Sequence, residues 1–204
     1  FANSEISRIR GIRQVNQEMP TGALADEILT PGDGQVRALI VAGGNPVLAW
    51  PDQARTLKAL EQLDLLVCLD IRPTETTQRA DYVIATSHFM EREDLSFLGD
   101  YFYEKPFCQH TEAVIDKGAE QLDEWQFFAN LSKAMGLELE LPSGALDLNE
   151  MPSALEMFER VCPNTKVPIA EIAKYPGGHI FDEVDVRASA AAPGVEARLN
   201  VGHG

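Results

Sequence analysis

The stretch VRALIVAGGNP, residues 36–46, decides the predicted fold. Its first seven residues form an apolar run of strand length, and the glycine, asparagine and proline that follow are turn residues that end it. Further apolar runs lie at residues 65–69 and 82–85, and a helical pattern over Asp52–Leu63 separates the first two runs. The pattern predicts that Ala54, Leu57, Leu60 and Leu63 lie on the buried face of this helix. Strands that are apolar on both faces and separated by helices indicate a parallel sheet covered on both sides. The sequence therefore predicts an α/β fold, with a Rossmann-like parallel sheet flanked by helices.

The remainder of the chain predicts a helical and irregular C-terminal extension. Residues 92–118 lack a clear period and predict a long ordered loop. Other helical patterns cover residues 21–29, 119–135, 153–161 and 168–174. Thr21 is a candidate N-cap of the first, Gly136 a candidate C-terminal residue of the second, and Ser153 or Asn149 a candidate N-cap of the third. We expect three parts: an α/β region at residues 1–118, a helical extension at 119–180 and an extended tail at 181–204.

Composition excludes several classes of function. The net charge is −15, from 32 acidic and 17 basic residues, so the chain does not resemble a nucleic-acid-binding protein. No apolar stretch is long enough to span a bilayer, so we expect no direct insertion into a membrane. The three cysteines form no CxxC pair, which argues against an iron–sulfur or zinc site in this chain. Cys68 lies in an apolar run and is predicted to be a buried thiol.

Three segments follow the carboxyl ends of the predicted strands, where open parallel sheets bind ligands. They are Gly43–Pro46, Asp70–Thr77 and Thr86–Glu91. Glycine lets backbone approach a ligand closely, while asparagine offers both a donor and an acceptor. The Asp70 carboxylate is placed to accept two hydrogen bonds from a purine or a ribose, or to cap the next turn. Thr74 has the same two alternatives, a ligand contact or a cap.

An ordered string of motifs runs along the chain: Gly43-Gly44-Asn45-Pro46, Leu63–Val67, Asp70, Thr74-Glu75-Thr76, Ala80-Asp81 and Glu91. This string resembles the molybdopterin oxidoreductase family, the group of dimethyl sulfoxide reductase, formate dehydrogenase and nitrate reductase. Order and spacing agree with the family pattern over about fifty residues, which is more specific than any single motif. A looser likeness lies at Asp123-Glu124-Trp125, similar to the Asp-Trp that opens a later helix in the family.

The resemblance implies a cofactor. In the family, two pterin–guanine dinucleotides hold one molybdenum or tungsten, and the similar segment belongs to a central α/β domain that binds one of them. By position, Gly43 and Asn45, with Gly44 beside them, would line the dinucleotide near its phosphates or pterin. Asp70 would accept hydrogen bonds from guanine, Thr74 would assist, and Glu124 stands where the family often has an aspartate that contacts the cofactor. The extra carboxylate at Asp123 leaves two registers open for that last position.

The sequence also departs from the family pattern. Ala85-Thr86 stands where the family usually has Leu-Pro. The cysteine motif for an iron–sulfur cluster, the segment that carries the metal's protein ligand and the C-terminal domain are not in this sequence, so an iron–sulfur cluster is expected only in a parent protein. We assign no catalytic residue and no metal ligand here. The three cysteines, Cys68, Cys108 and Cys162, lie outside the segment that carries that ligand.

The resemblance predicts an internal fragment of an enzyme that moves electrons or an oxygen atom at molybdenum or tungsten. We expect the isolated fragment to be inactive, with the dinucleotide and the remaining domains of the parent chain as its partners. One alternative is a cofactor-free structural or interaction subunit related to the family. Another is a stand-alone nucleotide-binding α/β module. The predicted location is cytoplasmic, with the periplasm as the alternative.

Overall fold

A computed structural model of the chain describes residues 6–15, 18–96 and 105–184. The chain divides into two compact units, which are described separately. One comprises Phe1–Arg92, Ala113–Leu139 and Ala145–Met151, and the other comprises Glu93–Glu112, Glu140–Gly144 and Pro152–Gly204. The three-part division expected from the sequence stays a prediction, and residues 185–204 of its tail lie outside the described residues.

The first unit is a mixed α/β arrangement around a three-stranded parallel sheet. Its elements are α1 (Thr21–Leu29), β1 (Ala38–Ala42), α2 (Pro46–Ala49), α3 (Gln53–Leu60), β2 (Leu65–Asp70), a 3-10 turn (Thr77–Arg79), β3 (Tyr82–Ala85) and α4 (Glu124–Met135). The strand order is β1-β2-β3, and the residue pairs Val41–Cys68 and Cys68–Val83 fix the register. The sheet and the predicted strand positions are confirmed, with shifts of one or two residues at strand ends.

Local chemistry explains where several helices begin and end. Asp52 precedes α3 in a left-handed conformation with φ of 55°, and its carboxylate accepts a hydrogen bond from the Arg55 N–H at 3.1 Å. Gly136 ends α4 with φ of 66°, as its sequence position predicts. Thr21 is not the N-cap of α1, because it is the first helical residue and Pro20 stands in the cap position without a side-chain hydrogen bond.

One hydrophobic cluster of the first unit lies on the face of the sheet that carries Leu66 and Cys68. Side chains of β1 and β2 pack there against α2 and α3, and Cys68 is buried among them as predicted. Burial, and then the charge of the nearby Asp70 carboxylate, raise the pKa of the Cys68 thiol. A second cluster joins α1 to α3 through Ala25, Ile28 and Ala59. The buried core residues of the first cluster are Val41, Val47, Leu60, Leu66 and Cys68.

One expectation about burial is wrong, and another holds for only part of the sheet. The helical pattern predicts that Ala54 lies on the buried face of α3, but Ala54 is exposed, and Thr56 and Ala59 are buried instead. Cover of the sheet on both sides holds for the central strand, where Leu66–Leu69 are all buried, but not for the outer strands, where Ile40 of β1 and both Tyr82 and Val83 of β3 are exposed. No helix in the described part of the chain is long and apolar enough to cross a membrane.

The second unit is built from short strands and helices. Its elements, with those of the segments that join it to the first unit, are β4 (Asp94–Leu95), β5 (Phe107–Cys108), β6 (His110–Thr111), β7 (Glu140–Leu141), β8 (Gly144–Ala145), α5 (Ala154–Val161), α6 (Ile169–Ile172) and β9 (His179–Ile180). Two antiparallel pairs, β4 with β6 and β5 with β9, lie where the sequence shows no period of its own. The buried apolar residues of this unit are Leu95, Val167, Ile169, Ile172 and Phe181.

Candidate functional site

A cleft of about 440 Å³ lies at the carboxyl ends of the three parallel strands, within the first unit. Its volume falls in the range of ordinary small-molecule sites. All six residues predicted to bind the cofactor line it, although their role as ligand contacts stays a prediction. The lining residues are Gly43, Gly44, Asn45, Asp70, Ile71, Arg72, Thr74, Thr86, Ser87, His88, Phe89, Arg92 and Glu124.

A second cleft of about 530 Å³ lies at the opposite, amino end of β1. Its lining runs from Met19 to Leu39 and includes no charged side chain. The cleft at the carboxyl ends has two carboxylates and two guanidinium groups, and polar groups that converge in a pocket fix the orientation of a ligand. We therefore take the cleft at the carboxyl ends, called the polar cleft below, as the candidate site.

The two glycines bring the backbone to the edge of the polar cleft. Gly43 has φ of 61°, a conformation that strains any residue with a side chain, and its N–H donates to the Leu69 carbonyl at 2.9 Å. A Cβ atom at Gly43 would meet nothing within 4 Å, so this position opens into free space. A Cβ atom at Gly44 would instead lie 3.7 Å from Val41 Cγ1, so Gly44 packs against the end of β1.

Asn45 connects the glycine loop to the Thr-Glu-Thr segment. Its Nδ2 donates to Glu75 Oε2 at 2.7 Å, and its Oδ1 accepts from Thr76 Oγ1 at 2.7 Å. The buried Thr76 hydroxyl also accepts from the Val47 N–H at 3.2 Å. The hydrogen bond from Asn45 is the main cause of a lowered pKa at the Glu75 carboxyl. Asn45 therefore holds the shape of the loop with its side chain, a role that the sequence pattern alone did not indicate.

Asp70 is the last residue of β2, and its two carboxylate oxygens have different surroundings. Its Oδ1 accepts from the N–H groups of Ile71 at 2.8 Å and Arg72 at 3.3 Å, which is the capping role expected as one alternative. Its Oδ2 has no hydrogen-bond partner among the residues that the structure describes. One carboxylate oxygen thus shapes the turn, and the other is available at the polar cleft.

Thr74 forms a local cap. Its hydroxyl accepts from the Thr77 N–H at 3.2 Å, and its own N–H donates to Thr77 Oγ1 at 2.6 Å. These bonds start the 3-10 turn that carries the chain from β2 towards β3. Thr74 therefore lines the polar cleft with its hydroxyl already engaged, and the capping alternative is the one that the structure shows.

Glu124 reaches the polar cleft because the segment before α4 joins the end of β3. Leu122 forms a parallel bridge with Thr86, and its N–H donates to the Ala85 carbonyl at 3.2 Å. Glu124 Oε2 accepts from Arg92 Nη1 at 2.8 Å. Of the two acidic residues here, Glu124 lines the cleft, whereas Asp123 is buried at the N-cap of α4.

Sequence reasoning missed Arg92, and it placed Thr86 and Ser87 in a segment at the end of a strand without singling out their hydroxyls. Arg92 follows Glu91 in the family-like string, and only that position could have singled it out. Thr86 Oγ1 and Ser87 Oγ are buried polar atoms without a hydrogen-bond partner among the described residues, and both residues line the polar cleft. An open glycine loop, an available carboxylate oxygen and two such hydroxyls fit a ligand that is rich in hydrogen-bonding groups. In the described part of the chain, no three histidine, cysteine or acidic side chains are grouped as metal ligands.

Comparison with known proteins places this geometry in a family. A family model described as molybdopterin oxidoreductase matches residues 11–134. Acetylene hydratase of Syntrophotalea acetylenica is 32% identical over 120 residues, which cover 59% of this chain and 16% of the relative. Dimethyl sulfoxide/trimethylamine N-oxide reductase of Cereibacter sphaeroides is 28% identical over 149 residues, covering 68% of this chain and 18% of the relative.

A solved structure is similar to this chain in the same way as the sequence relatives are. The structure of acetylene hydratase from Pelobacter acetylenicus aligns with a TM-score of 0.60 and 26% identity, covering 78% of this chain and 20% of that protein. The chain thus spans about a fifth or less of the length of these relatives. The family match covers more than half of the chain and includes every residue that lines the polar cleft. The chain belongs to the molybdopterin oxidoreductase family.

Proposed function

We propose that this chain forms one side of the binding site for a molybdopterin guanine dinucleotide in a larger oxidoreductase. The observation that carries the proposal is the convergence of the glycine loop, Asp70 and Glu124 on one cleft at the carboxyl ends of parallel strands. Rossmann-like sheets bind dinucleotides at this end of their strands, and we propose that the present sheet is Rossmann-like and does the same. When bound, the metal and pterin would supply electron or oxygen-atom transfer.

Different residues of the polar cleft would contact different parts of the dinucleotide. Guanine presents two adjacent N–H donors, at N1 and N2, which match the two acceptor positions of a carboxylate. Asp70 Oδ2 supplies such an acceptor, while the bonds from Ile71 and Arg72 to Oδ1 hold the carboxylate in place. Gly43 gives a phosphate or pterin close access to backbone, and Asn45 keeps the loop in position through Glu75 and Thr76.

The charges of the polar cleft suit a ligand that carries both anionic groups and N–H donors. Arg72 and Arg92 oppose Asp70 and Glu124 among the lining residues, so the lining has no net charge with histidine neutral. Guanidinium groups bind phosphate oxygens, and carboxylates bind the N–H groups of a base. A guanine nucleotide carries both kinds of group, so one ligand satisfies both halves of the lining.

The proposal is tested by titrating the purified chain with GDP and ADP, followed by NMR chemical shifts or calorimetry. We expect a preference for GDP, and we expect Asp70→Ala to weaken GDP binding by about 10- to 100-fold, the value of a hydrogen bond to a charged group. Asp64→Ala is the matched control, because Asp64 precedes the same strand at its other end and pairs with Arg37 at the surface.

The outcomes separate the three functional hypotheses. Equal binding of GDP and ADP that survives Asp70→Ala would favour a general nucleotide-binding module. Binding of neither nucleotide would contradict the proposal and favour a cofactor-free structural subunit. Equal losses in Asp64→Ala and Asp70→Ala would show that the effect is not local to the polar cleft.

The activity of a whole protein is also a proposal. We propose that the remaining domains of the parent chain complete the cofactor site, and that any iron–sulfur cluster is held there. The relatives include a hydratase, a sulfoxide and N-oxide reductase and formate dehydrogenases, so the substrate differs within the family. We expect no turnover from residues 1–204 alone, and reduction of a dye acceptor by the purified chain would contradict this.

A further inference from the structure

The end of β3 carries two hydroxyl groups that the fold leaves without partners. Thr86 and Ser87 are each only 1% exposed, and neither Thr86 Oγ1 nor Ser87 Oγ has a hydrogen-bond partner among the described residues. Both residues line the polar cleft beside Asp70 and the glycine loop. Buried hydroxyls in proteins almost always have partners, so a pair of unpartnered ones at a cleft indicates that the partner comes from outside the chain.

Backbone hydrogen bonds on both sides hold these two residues in place. The Thr86 N–H donates to the Asp70 carbonyl at 3.3 Å, and the Thr86 carbonyl accepts from Gln121 Nε2 at 3.3 Å. The Ser87 N–H donates to the Leu122 carbonyl at 3.0 Å. Because the backbone is fixed to β2 and to the segment before α4, the hydroxyls are held at the polar cleft in advance of a ligand.

At Thr86 the sequence departs from the family pattern. Thr86 stands where the family pattern usually has proline, and proline has neither an N–H to donate to Asp70 nor a hydroxyl. The replacement therefore adds a strand-like hydrogen bond and a polar group at the same point. The hydroxyls also complement Asp70, because a carboxylate repels the oxygen acceptors of a ligand, whereas a hydroxyl donates to them.

We propose that the hydroxyls of Thr86 and Ser87 donate hydrogen bonds to acceptor oxygens of the nucleotide in the polar cleft. This inference rests on the proposed function and adds two contacts to it. The acceptor is an oxygen of the nucleotide, either on the base or ribose or on a phosphate. Asp70 takes the N–H groups of the ligand, and the two hydroxyls take its oxygens.

The experiment compares Thr86→Val and Ser87→Ala with the unmodified chain. GDP binding is measured by NMR titration, and the melting temperature is measured with and without GDP. Each variant is expected to weaken GDP binding by about 3- to 10-fold, the value of one neutral hydrogen bond. The melting temperature without ligand is expected to stay the same or rise, because each change removes a buried polar atom that has no partner.

Thr56→Val is the matched control. Thr56 is also buried, but its hydroxyl donates to the Pro51 carbonyl at 3.3 Å and it does not line the polar cleft. This variant is expected to lower the melting temperature and to leave GDP affinity unchanged. Titration with guanosine identifies the acceptor: a loss that persists with guanosine indicates an oxygen of the base or ribose, and a loss seen only with GDP indicates a phosphate.

The remaining outcomes overturn the inference in distinguishable ways. Normal GDP affinity in Thr86→Val and Ser87→Ala, with weak binding in Asp70→Ala, would refute these contacts and leave the proposed function intact. A lower melting temperature with normal GDP affinity would show that the hydroxyls hold only structural water. If the unmodified chain does not bind GDP, or if Asp70→Ala binds it normally, the proposed function fails and this inference fails with it.

Discussion

Gly43 and Gly44 are adjacent, but the structure makes different demands on them. Gly43 has φ of 61° and faces open space, whereas Gly44 is not in the left-handed region and has ordinary contacts around its Cβ direction. We predict that Gly43→Ala lowers the free energy of unfolding by about 1–2 kcal/mol, because an alanine in the left-handed region is strained. Urea unfolding monitored by circular dichroism measures this difference.

Gly44→Ala is the control for that prediction. The nearest atom to its new Cβ would be Val41 Cγ1 at 3.7 Å, which is an ordinary van der Waals contact. We expect the stability of Gly44→Ala to lie close to that of the unmodified chain. Equal stability of both variants would show that the loop does not need a left-handed residue at position 43.

At the level of elements, the sequence predicts best where a pattern is long and local. The three strands and the helix that precedes them follow apolar runs and strong turn residues, and the structure confirms them. The pairs β4–β6 and β5–β9 were not predicted, because two-residue strands show no period and their partners are distant in sequence. Helix α4 begins at Glu124 rather than at residue 119, since its start depends on the contact of Leu122 with the end of β3.

In the candidate site, too, the sequence predicts the local features but not the contacts between distant segments. Apolar runs locate the ends of the strands, so the glycine loop and Asp70 could be found from the sequence. The engagement of Asn45 by Glu75 and Thr76 could not be found, because it joins two loops that only the sheet brings together. Nor could the sequence show that the hydroxyls of Thr86 and Ser87 have no hydrogen-bond partner among the described residues, since burial and hydrogen bonding of a hydroxyl depend on the whole fold.

Asp26 joins three elements and should make the fold sensitive to acid. Its carboxylate lies in α1 and pairs with Arg10 of the N-terminal segment and Arg55 of α3. Burial tends to raise the pKa of this carboxyl, but hydrogen bonds from the two guanidinium groups outweigh burial and lower the pKa below its usual 3.8. A carboxyl whose pKa is lowered by folding stabilises the protein above its unfolded pKa, and this contribution is lost as the pH falls through the folded pKa.

We predict that Asp26→Asn lowers the free energy of unfolding by about 1–3 kcal/mol at pH 7, because it leaves two half-exposed arginines without their partner. The difference from the unmodified chain should shrink as the pH falls below about 4, because the carboxyl of the unfolded chain then takes up a proton that the native carboxyl binds only at lower pH. Urea unfolding at several pH values measures both effects. Asp116→Asn, at an exposed site, is the control and should change little at any pH. A difference that stays constant down to about pH 2 would contradict the assigned role of the charge.

At the scale of the whole molecule, the outer strands of the sheet expose apolar side chains that could contact another molecule. β3 is an edge strand whose Tyr82 and Val83 are 63% and 51% exposed, and Ile40 and Leu65 are exposed on the face of the sheet away from α3. Parallel sheets are normally covered on both faces, and an exposed apolar edge tends to pair with another chain. The net charge of −15 opposes such association at low salt, because it makes the molecules repel one another.

We therefore predict that the isolated chain self-associates increasingly as salt screens its charge, and that Val83→Lys reduces this association. A lysine on an edge strand disfavours pairing because its charge would have to be buried. Sedimentation velocity at low and high salt measures the effect. Val114→Lys makes the same change of residue at a site that is 65% exposed and lies outside the sheet, so it tests whether charge alone is responsible. Equal reduction by both variants would assign the effect to net charge, whereas a monomer at every salt concentration would show that the edge of β3 is already protected.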